Sequence, residues 1–291
     1  MPRRMMLLSI AILMLALGAL PTRGAGSFAF TTIDFAGATS TMARGLNNPG
    51  QIVGEYSDVS RKGHGFLFAA GSFGTLDIPS GTSRTSAFGN NNRGDIVGFY
   101  TDTAGKLHAF LLAKGSFSTI DVSGTPATEA LGINDAGDVV GFYQDAMHRS
   151  HGFLLAKGTL STIDVPRASQ SEARGINASG QIVGLYRDAT FKPHGFLLAN
   201  GTFSTIDVPG ATQTEAHGIS DRGQIVGLYQ DAAGGTHGFL LSAGSFSTID
   251  VPGALRTEAH GINDPGQIVG LYLDFSFKMR GFLATPNDFE P

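Results

Sequence analysis

Two sets of ionisable residues recur in this sequence at spacings that could do chemistry. In the first, a histidine stands 13 residues before an aspartate: His64 and Asp77, His108 and Asp121, His151 and Asp164, His194 and Asp207, His237 and Asp250. A carboxylate beside an imidazole is half of a general acid–base dyad. A catalytic centre is assembled once, however, and this pair occurs five times, which assigns it to tying neighbouring strands together. The second set is Glu129, Glu172, Glu215 and Glu258, with His217 and His260 two residues after the last two. Residues two apart on a strand share one side, so each such Glu and His would face the same space. Four carboxylates around a channel mouth would suit calcium, a hard cation that takes oxygen ligands; converging histidines would favour a transition metal. Carboxylates solvated at a wide mouth, or paired with Arg174 or Arg44, are the alternative. Met42 and Ser86 hold the matching positions in the first two copies, so any such site is lopsided.

A third set lies in the segments that vary between copies. Arg61, Lys62, Arg149, Lys192 and Lys278 fall there, and Phe191 and Phe277 sit beside two of them. Aromatic faces next to cations make binding surface in water, and the partner they suit is a glycan or a surface protein. Asp58, Asp102, Asp145, Asp188, Asp231 and Asp274 occupy the same segments and balance much of the charge. Cysteine is absent, which excludes disulfides, thiolate metal sites and a cysteine nucleophile. No Gly-rich phosphate loop, His-Glu-x-x-His or Gly-x-Ser-x-Gly appears.

The elements that must position these residues are legible in one unit, GTFSTIDVPGATQTEAHGISDRGQIVGLYQDAAGGTHGFLLSA, over 201–243. Six copies begin at Gly26, Gly71, Gly115, Gly158, Gly201 and Gly244, a spacing of 43 to 45 residues. A fixed period of this size marks stacked supersecondary units. Each unit holds four short runs rich in Val, Ile, Phe, Tyr and Thr, bounded by Gly, Asn, Asp and Pro, which read as strands. Asn200-Gly201 between apolar runs predicts a two-residue hairpin, and Asn263-Asp264-Pro265-Gly266 predicts another tight turn. The expected fold is all-β, a six-bladed β-propeller of four-stranded antiparallel blades. Because Phe28 to Asp34 precedes the first complete blade, it is expected to supply the outer strand of the last one and close the ring, leaving no stray sheet edge. In that register Arg280, which replaces the recurrent histidine, would face Asp34. Two β-trefoils of three repeats each remain the rival architecture. The tyrosines of Ile-Val-Gly-x-Tyr, one per blade, are expected to pack between blades.

At His108-Ala109-Phe110 and its His-Gly-Phe relatives, with Gly-Ile-Asn-Asp-x-Gly-Gln-Ile-Val-Gly, the units resemble the HAF repeat of probable extracellular bacterial proteins. The resemblance implies an exported repeat protein and brings no catalytic residues. The chain's own beginning agrees with export: Arg3 and Arg4 precede an apolar run over Met5 to Leu20, then Pro21-Thr22-Arg23-Gly24, the order of a secretory signal. An uncleaved anchor is the alternative, although 16 apolar residues fall short of the ~20 that span a bilayer. The expected division is a signal over 1–24, the propeller over 25–285 and a tail over 286–291, with a secreted or periplasmic product. A net charge of -4 gives no reason to expect nucleic acid, and nothing after the signal suggests a membrane. The expected function is a binding or interaction module acting through the loop-rich face, and the sequence leaves catalysis undecided while favouring none. The alternative is a hydrolase or lactonase-like propeller with a divalent metal at the channel mouth.

Overall fold

The computed structural model describes residues 28–78 and 83–287, and every regular element in it is a strand. The proposed signal over 1–24 and most of the C-terminal tail lie outside the described residues. The chain begins with β1 (Phe28–Ile33). The first blade is β2 (Ser40–Leu46), β3 (Ile52–Ser57), β4 (Gly63–Ala69) and β5 (Ser72–Leu76), and the second is β6 (Arg84–Asn90), β7 (Ile96–Thr101), β8 (Leu107–Ala113) and β9 (Ser116–Thr119); single parallel bridges, Gly63 to Arg84 and Leu107 to Ala127, link the first three blades into one continuous sheet. The third is β10 (Ala127–Ile133), β11 (Val139–Gln144), β12 (Ser150–Ala156) and β13 (Thr159–Ile163). The fourth is β14 (Gln170–Ile176), β15 (Ile182–Arg187), β16 (Pro193–Ala199) and β17 (Thr202–Ile206), and the fifth is β18 (Gln213–Ile219), β19 (Ile225–Gln230), β20 (Thr236–Ser242) and β21 (Ser245–Ile249). The sixth has β22 (Arg256–Ile262), β23 (Ile268–Leu273) and β24 (Met279–Pro286), and its fourth strand is β1, antiparallel to β24 with Phe28 opposite Pro286.

Local chemistry explains each hairpin. Between the third and fourth strands, Asn200 and Gly201 both have positive φ (50° and 74°), as a type I′ turn requires, and its twist matches that of the strands. Between the first and second strands an asparagine folds the turn on itself: the Asn47 side-chain oxygen accepts from Gln51 N at 2.8 Å, and Gly50 takes φ 81°.

Packing inside a blade rests on a glycine and a phenylalanine. Phe66, Phe110, Phe153, Phe196, Phe239 and Phe282 are fully buried. Each lies across the second-strand glycine of its own blade; a Cβ on Gly184 would sit 2.8 Å from the Phe196 ring. Between blades the core is continuous. Val140 and Ile163 of the third blade pack with Ala173, Ile176, Ile182 and Phe196 of the fourth.

Around the axis the blades are also joined by a relay that the sequence reading did not foresee. The side-chain amides of Asn47, Asn91, Asn134 and Asn177 each donate to a backbone carbonyl of the next blade, at 2.9, 3.1, 3.2 and 3.2 Å. Asn263 of the sixth blade donates to the Asn47 carbonyl at 3.3 Å, and Val269 of that blade belongs to the first blade's core. The first and last blades therefore lie against each other. In the fifth blade Ser220 replaces asparagine and is too short to continue the relay.

The seam carries the expected ion pair. Arg280 bridges Asp34 and Asp274, the latter at 2.7 Å, and Lys278 reaches Asp34 at 2.9 Å. The Tyr272 hydroxyl meets Thr32 across the same seam at 3.0 Å.

Candidate functional site

The five His–Asp pairs form, with Nδ1 to carboxylate distances of 2.8 Å for His64, 2.8 Å for His151 and 2.9 Å for His194. A second carboxylate completes each. Asp58 caps its loop by accepting from the backbone of Ser60 (2.8 Å) and Lys62 (2.9 Å), and its other oxygen stands 3.5 Å from His64 Nε2. The recurrent loop aspartates therefore hold loop and histidine together rather than only offsetting surface charge. Ser60 and Lys62 hold the Asp58 carboxyl down at about 2. Burial pulls His237 downward, but Asp250 and Asp231 outweigh it and keep the imidazole above its ordinary value. The tyrosines do more than pack between blades: Tyr186 stacks on His194 (centroids 5.1 Å apart) and bonds Thr205 of the outer strand at 3.0 Å. These units are staples between the three outer strands.

The loops between second and third strands share a face with the inter-blade links, as the bonds from Thr39 to the Ser57 and Asp58 carbonyls show (3.2 and 3.1 Å). The fourth loop position is left-handed in every blade. Gly105 and Gly234 occupy it in two blades, but Arg61, His148, Phe191 and Phe277 occupy it in the others with φ of 58° to 67°. A bulky residue there costs about 1 kcal/mol or more. Phe191 and Phe277 are nevertheless 63% and 78% exposed, so burial returns nothing for the strain. Of the basic residues expected on this face, Arg61, Lys62 and Lys192 make no side-chain ion pair among the described residues. Arg149 and Lys278 are ion-paired within the chain, Arg149 with Asp145 at 2.7 Å and Lys278 with Asp34 at 2.9 Å.

The inner strands build the second feature, an axial cavity of about 350 Å³ lined by Arg44, Phe88, Glu129, Leu131, Phe142, Glu172, Arg174, His217 and His260. Its floor is a ring of glycines. A Cβ on Gly132 would stand 2.7 Å from the Arg174 carbonyl and one on Gly175 2.7 Å from that of His217, so the strands converge there. From that floor each inner strand runs back toward its first residue, so the cavity opens on the loop-rich face.

The charges in and around it are mostly spent on one another. Glu55, which sequence reading missed because no other blade has a carboxylate there, is buried between Arg44 (3.1 Å) and Arg84 and accepts from Ser86 at 2.7 Å. Burial opposes its ionisation, but the two guanidiniums outweigh it and hold the carboxyl at about 2. Arg174 pairs with Glu172 (2.9 Å) and Glu215 (3.3 Å), and Arg256 with Glu258 (3.0 Å). His217 Nδ1 donates to the Ala259 carbonyl at 3.2 Å, which leaves Nε2 to accept from Arg174 at 2.6 Å. His260 Nε2 meets Arg44 at 3.1 Å. Burial, with Arg44 beside it, drives His260 down to about 3, so it is neutral at neutral pH. The ring nitrogens that a transition metal would need face guanidiniums. Among the described residues no three His, Asp or Glu side chains are grouped to hold a metal ion.

Glu129 differs from the other three carboxylates of its ring, having no hydrogen bond or ion pair among the described residues. Burial and the neighbouring charge of Glu172 push its carboxyl up to about 7. A carboxyl raised from 4.5 to about 7 on folding binds more protons folded than unfolded, so the stability it permits is lost as pH rises through about 7. Glu129→Gln is therefore expected to stabilise the protein by about 3 kcal/mol at pH 8 and only about 1 kcal/mol at pH 5. Denaturant titrations at the two pH values check this; equal differences at both would show that Glu129 is ionised throughout.

No protein-family model matches the chain, and no curated protein aligns with it. Solved structures do share its architecture. One is a triple arginine-to-alanine mutant of AofleA from Arthrobotrys oligospora, with TM-score 0.55 and 11% identity over 88% of this chain and 86% of that one. Another is the Aleuria aurantia lectin, described as a six-bladed β-propeller, with TM-score 0.51 and 13% identity over 87% and 97%. A third is the β-propeller domain of the Trilobed protease from Pyrococcus furiosus, with TM-score 0.51 and 9% identity over 88% and 98%. At these identities the likeness establishes the fold alone, and together with the four-stranded antiparallel blades it makes this chain a β-propeller.

Proposed function

We propose that this protein is an exported binding module whose loop-rich face captures a glycan. The observation that carries the reading is the pair Phe191 and Phe277, held left-handed and exposed where two other blades use glycine. Strain of this kind persists where a side chain is needed for contact. An aromatic ring with a cation beside it, as in Phe191 and Lys192, suits the apolar face and hydroxyl rim of a sugar. Supporting it are the Aleuria aurantia lectin structures, which carry bound fucosides on a propeller of similar shape. Membership of the HAF-repeat proteins, export directed by residues 1–24 and closure of the ring through β1 belong to the same reading.

The double change Phe191→Gly with Phe277→Gly relieves the strain and removes the rings. Melting temperature is expected to hold or rise by a few degrees, while binding on a glycan array falls at least ten-fold. Lys192→Gln is expected to weaken binding in the same direction. Undiminished binding by the double variant would remove this face from consideration. Capture of a surface protein with no array signal would replace the glycan by a protein partner. Export is checked by the mass of the protein recovered outside the cell, which should begin near Ala25.

A further inference from the structure

The cations around the axial cavity are all engaged. Arg44 and Arg84 pair with Glu55, Arg174 with Glu172 and Glu215, and Arg256 with Glu258. Glu129 is the carboxylate of the ring without a hydrogen bond or ion pair among the described residues, and Arg174 and Arg84 act on it only from a distance. Around it the wall changes character: Phe142 lies directly opposite on the neighbouring strand, and Leu131 and Phe88 continue the apolar surface. The remainder of the wall is charged or histidine. One side of a cavity of about 350 Å³ is thus apolar and ends in one unengaged carboxyl.

We propose that this cavity binds a small organic cation, a primary amine on an apolar or aromatic body, with its ammonium on Glu129 and its body against Leu131 and Phe142. An anion is disfavoured, because the terminal nitrogens of Arg44 and Arg174 are taken by carboxylates and histidines and their unpaired Nε atoms are buried. A sugar would want several free donors and acceptors, and the apolar wall supplies none. An ammonium satisfies the unpaired carboxylate, and its organic body covers apolar surface, which aromatic rings strengthen by cation–π attraction. The site is independent of the loop-face reading, since Phe191 and Phe277 do not line it.

Binding should be pH-dependent in one direction. Glu129 is faced by Glu172 and Arg174 from the fourth blade, Arg84 from the second and Glu55 from the first. The guanidiniums stay charged, Glu55 is already ionised above about 2, and His260 stays neutral above about 3. Between pH 5 and pH 8 Glu129 itself changes charge, while an alkylammonium, with a pKa of about 10, does not.

The test uses benzylamine as the cation, benzyl alcohol as its neutral analogue and benzoate as the anion, titrated by calorimetry into the folded protein. Benzylamine is expected to bind at least ten-fold more tightly than benzyl alcohol, and more tightly at pH 8 than at pH 5; benzoate is expected not to bind. Glu129→Gln should abolish the preference for the amine and its pH dependence. The Phe191→Gly, Phe277→Gly variant should bind benzylamine as the wild type does, which separates failure here from failure of the loop-face reading. A readout on the unaltered protein is the 13C resonance of the Glu129 carboxyl, whose titration midpoint should move down by at least one pH unit with benzylamine bound. Equal affinity for amine and alcohol, an unmoved midpoint, or no binding at millimolar benzylamine would overturn the proposal.

Discussion

Gly184→Ala is expected to abolish folding or to lower the melting temperature by more than 10 °C. The added Cβ would lie 1.9 Å from the Glu172 carbonyl and 2.8 Å from the Phe196 ring. The carbonyl belongs to β14, whose pairing with β15 fixes its position, and the ring is fully buried. Neither can move without opening the blade, and overpacking of this severity exceeds the usual 1 to 3 kcal/mol, reaching about 4 kcal/mol or more. At 2 to 4 °C per kcal/mol for a domain of this size, that gives the expected drop. Gly74→Ala is the control: its Cβ would have only the Leu67 carbonyl within 4 Å, at 3.8 Å, and other blades carry serine there. A Gly184 variant melting within 3 °C of the wild type would mean that the glycine and phenylalanine do not interlock as described.

Ile33→Asp is expected to cost at least about 3 kcal/mol, because it places a carboxylate without a cation in the core. Ile33 is 4% exposed and packs with Ala43, Ile52, Phe66 and Val269, so it belongs to both blades that meet at the seam. Its counterpart Ile206 is equally buried at 5%, but its strand is tied to the preceding one by the Asn200-Gly201 turn. Both variants should lose similar stability. Only Ile33→Asp should detach a strand, seen as fast amide exchange over Phe28–Ile33 and Met279–Pro286 while the other blades stay protected. Uniform exchange across all six blades in both variants would show that β1 is no weaker a join than a hairpin.

The repeat made the architecture readable, because a period of 43 to 45 residues with four turn-bounded runs leaves little choice of sheet. The turn arithmetic placed His194 opposite Asp207, and the expected pairing of the first strand with the last placed Arg280 beside Asp34. What the sequence could not reveal were relations between blades. Asn47 reads as a turn residue, and that its amide also reaches the Asn91 carbonyl depends on how close the strands come at the axis. Glu55 drew no notice because no other blade has a carboxylate there, and its role rests on Arg44 and Arg84, which come from two different blades. Glu129 looked like one of four equal carboxylates, yet arginines form ion pairs with the other three and none with it, and it stands opposite Phe142. The left-handed state of Phe191 and Phe277 was hidden for another reason: the glycine at the same loop position in two blades signals it, but only when the copies are aligned loop by loop.

Pairing of β1 with β24 has a consequence for how the molecule comes into being. Phe28 leaves the ribosome first among the described strands and its partner Pro286 last, so the sixth blade lacks its outer strand until every other described strand exists. Five blades can assemble from neighbours in order of synthesis. The sixth must recruit a segment made some 250 residues earlier, a contact of the longest range and hence the slowest kind. Until then the edge of β24 is an open template for a second copy of the chain, and the interval before it is covered is when this protein is most exposed to aggregation.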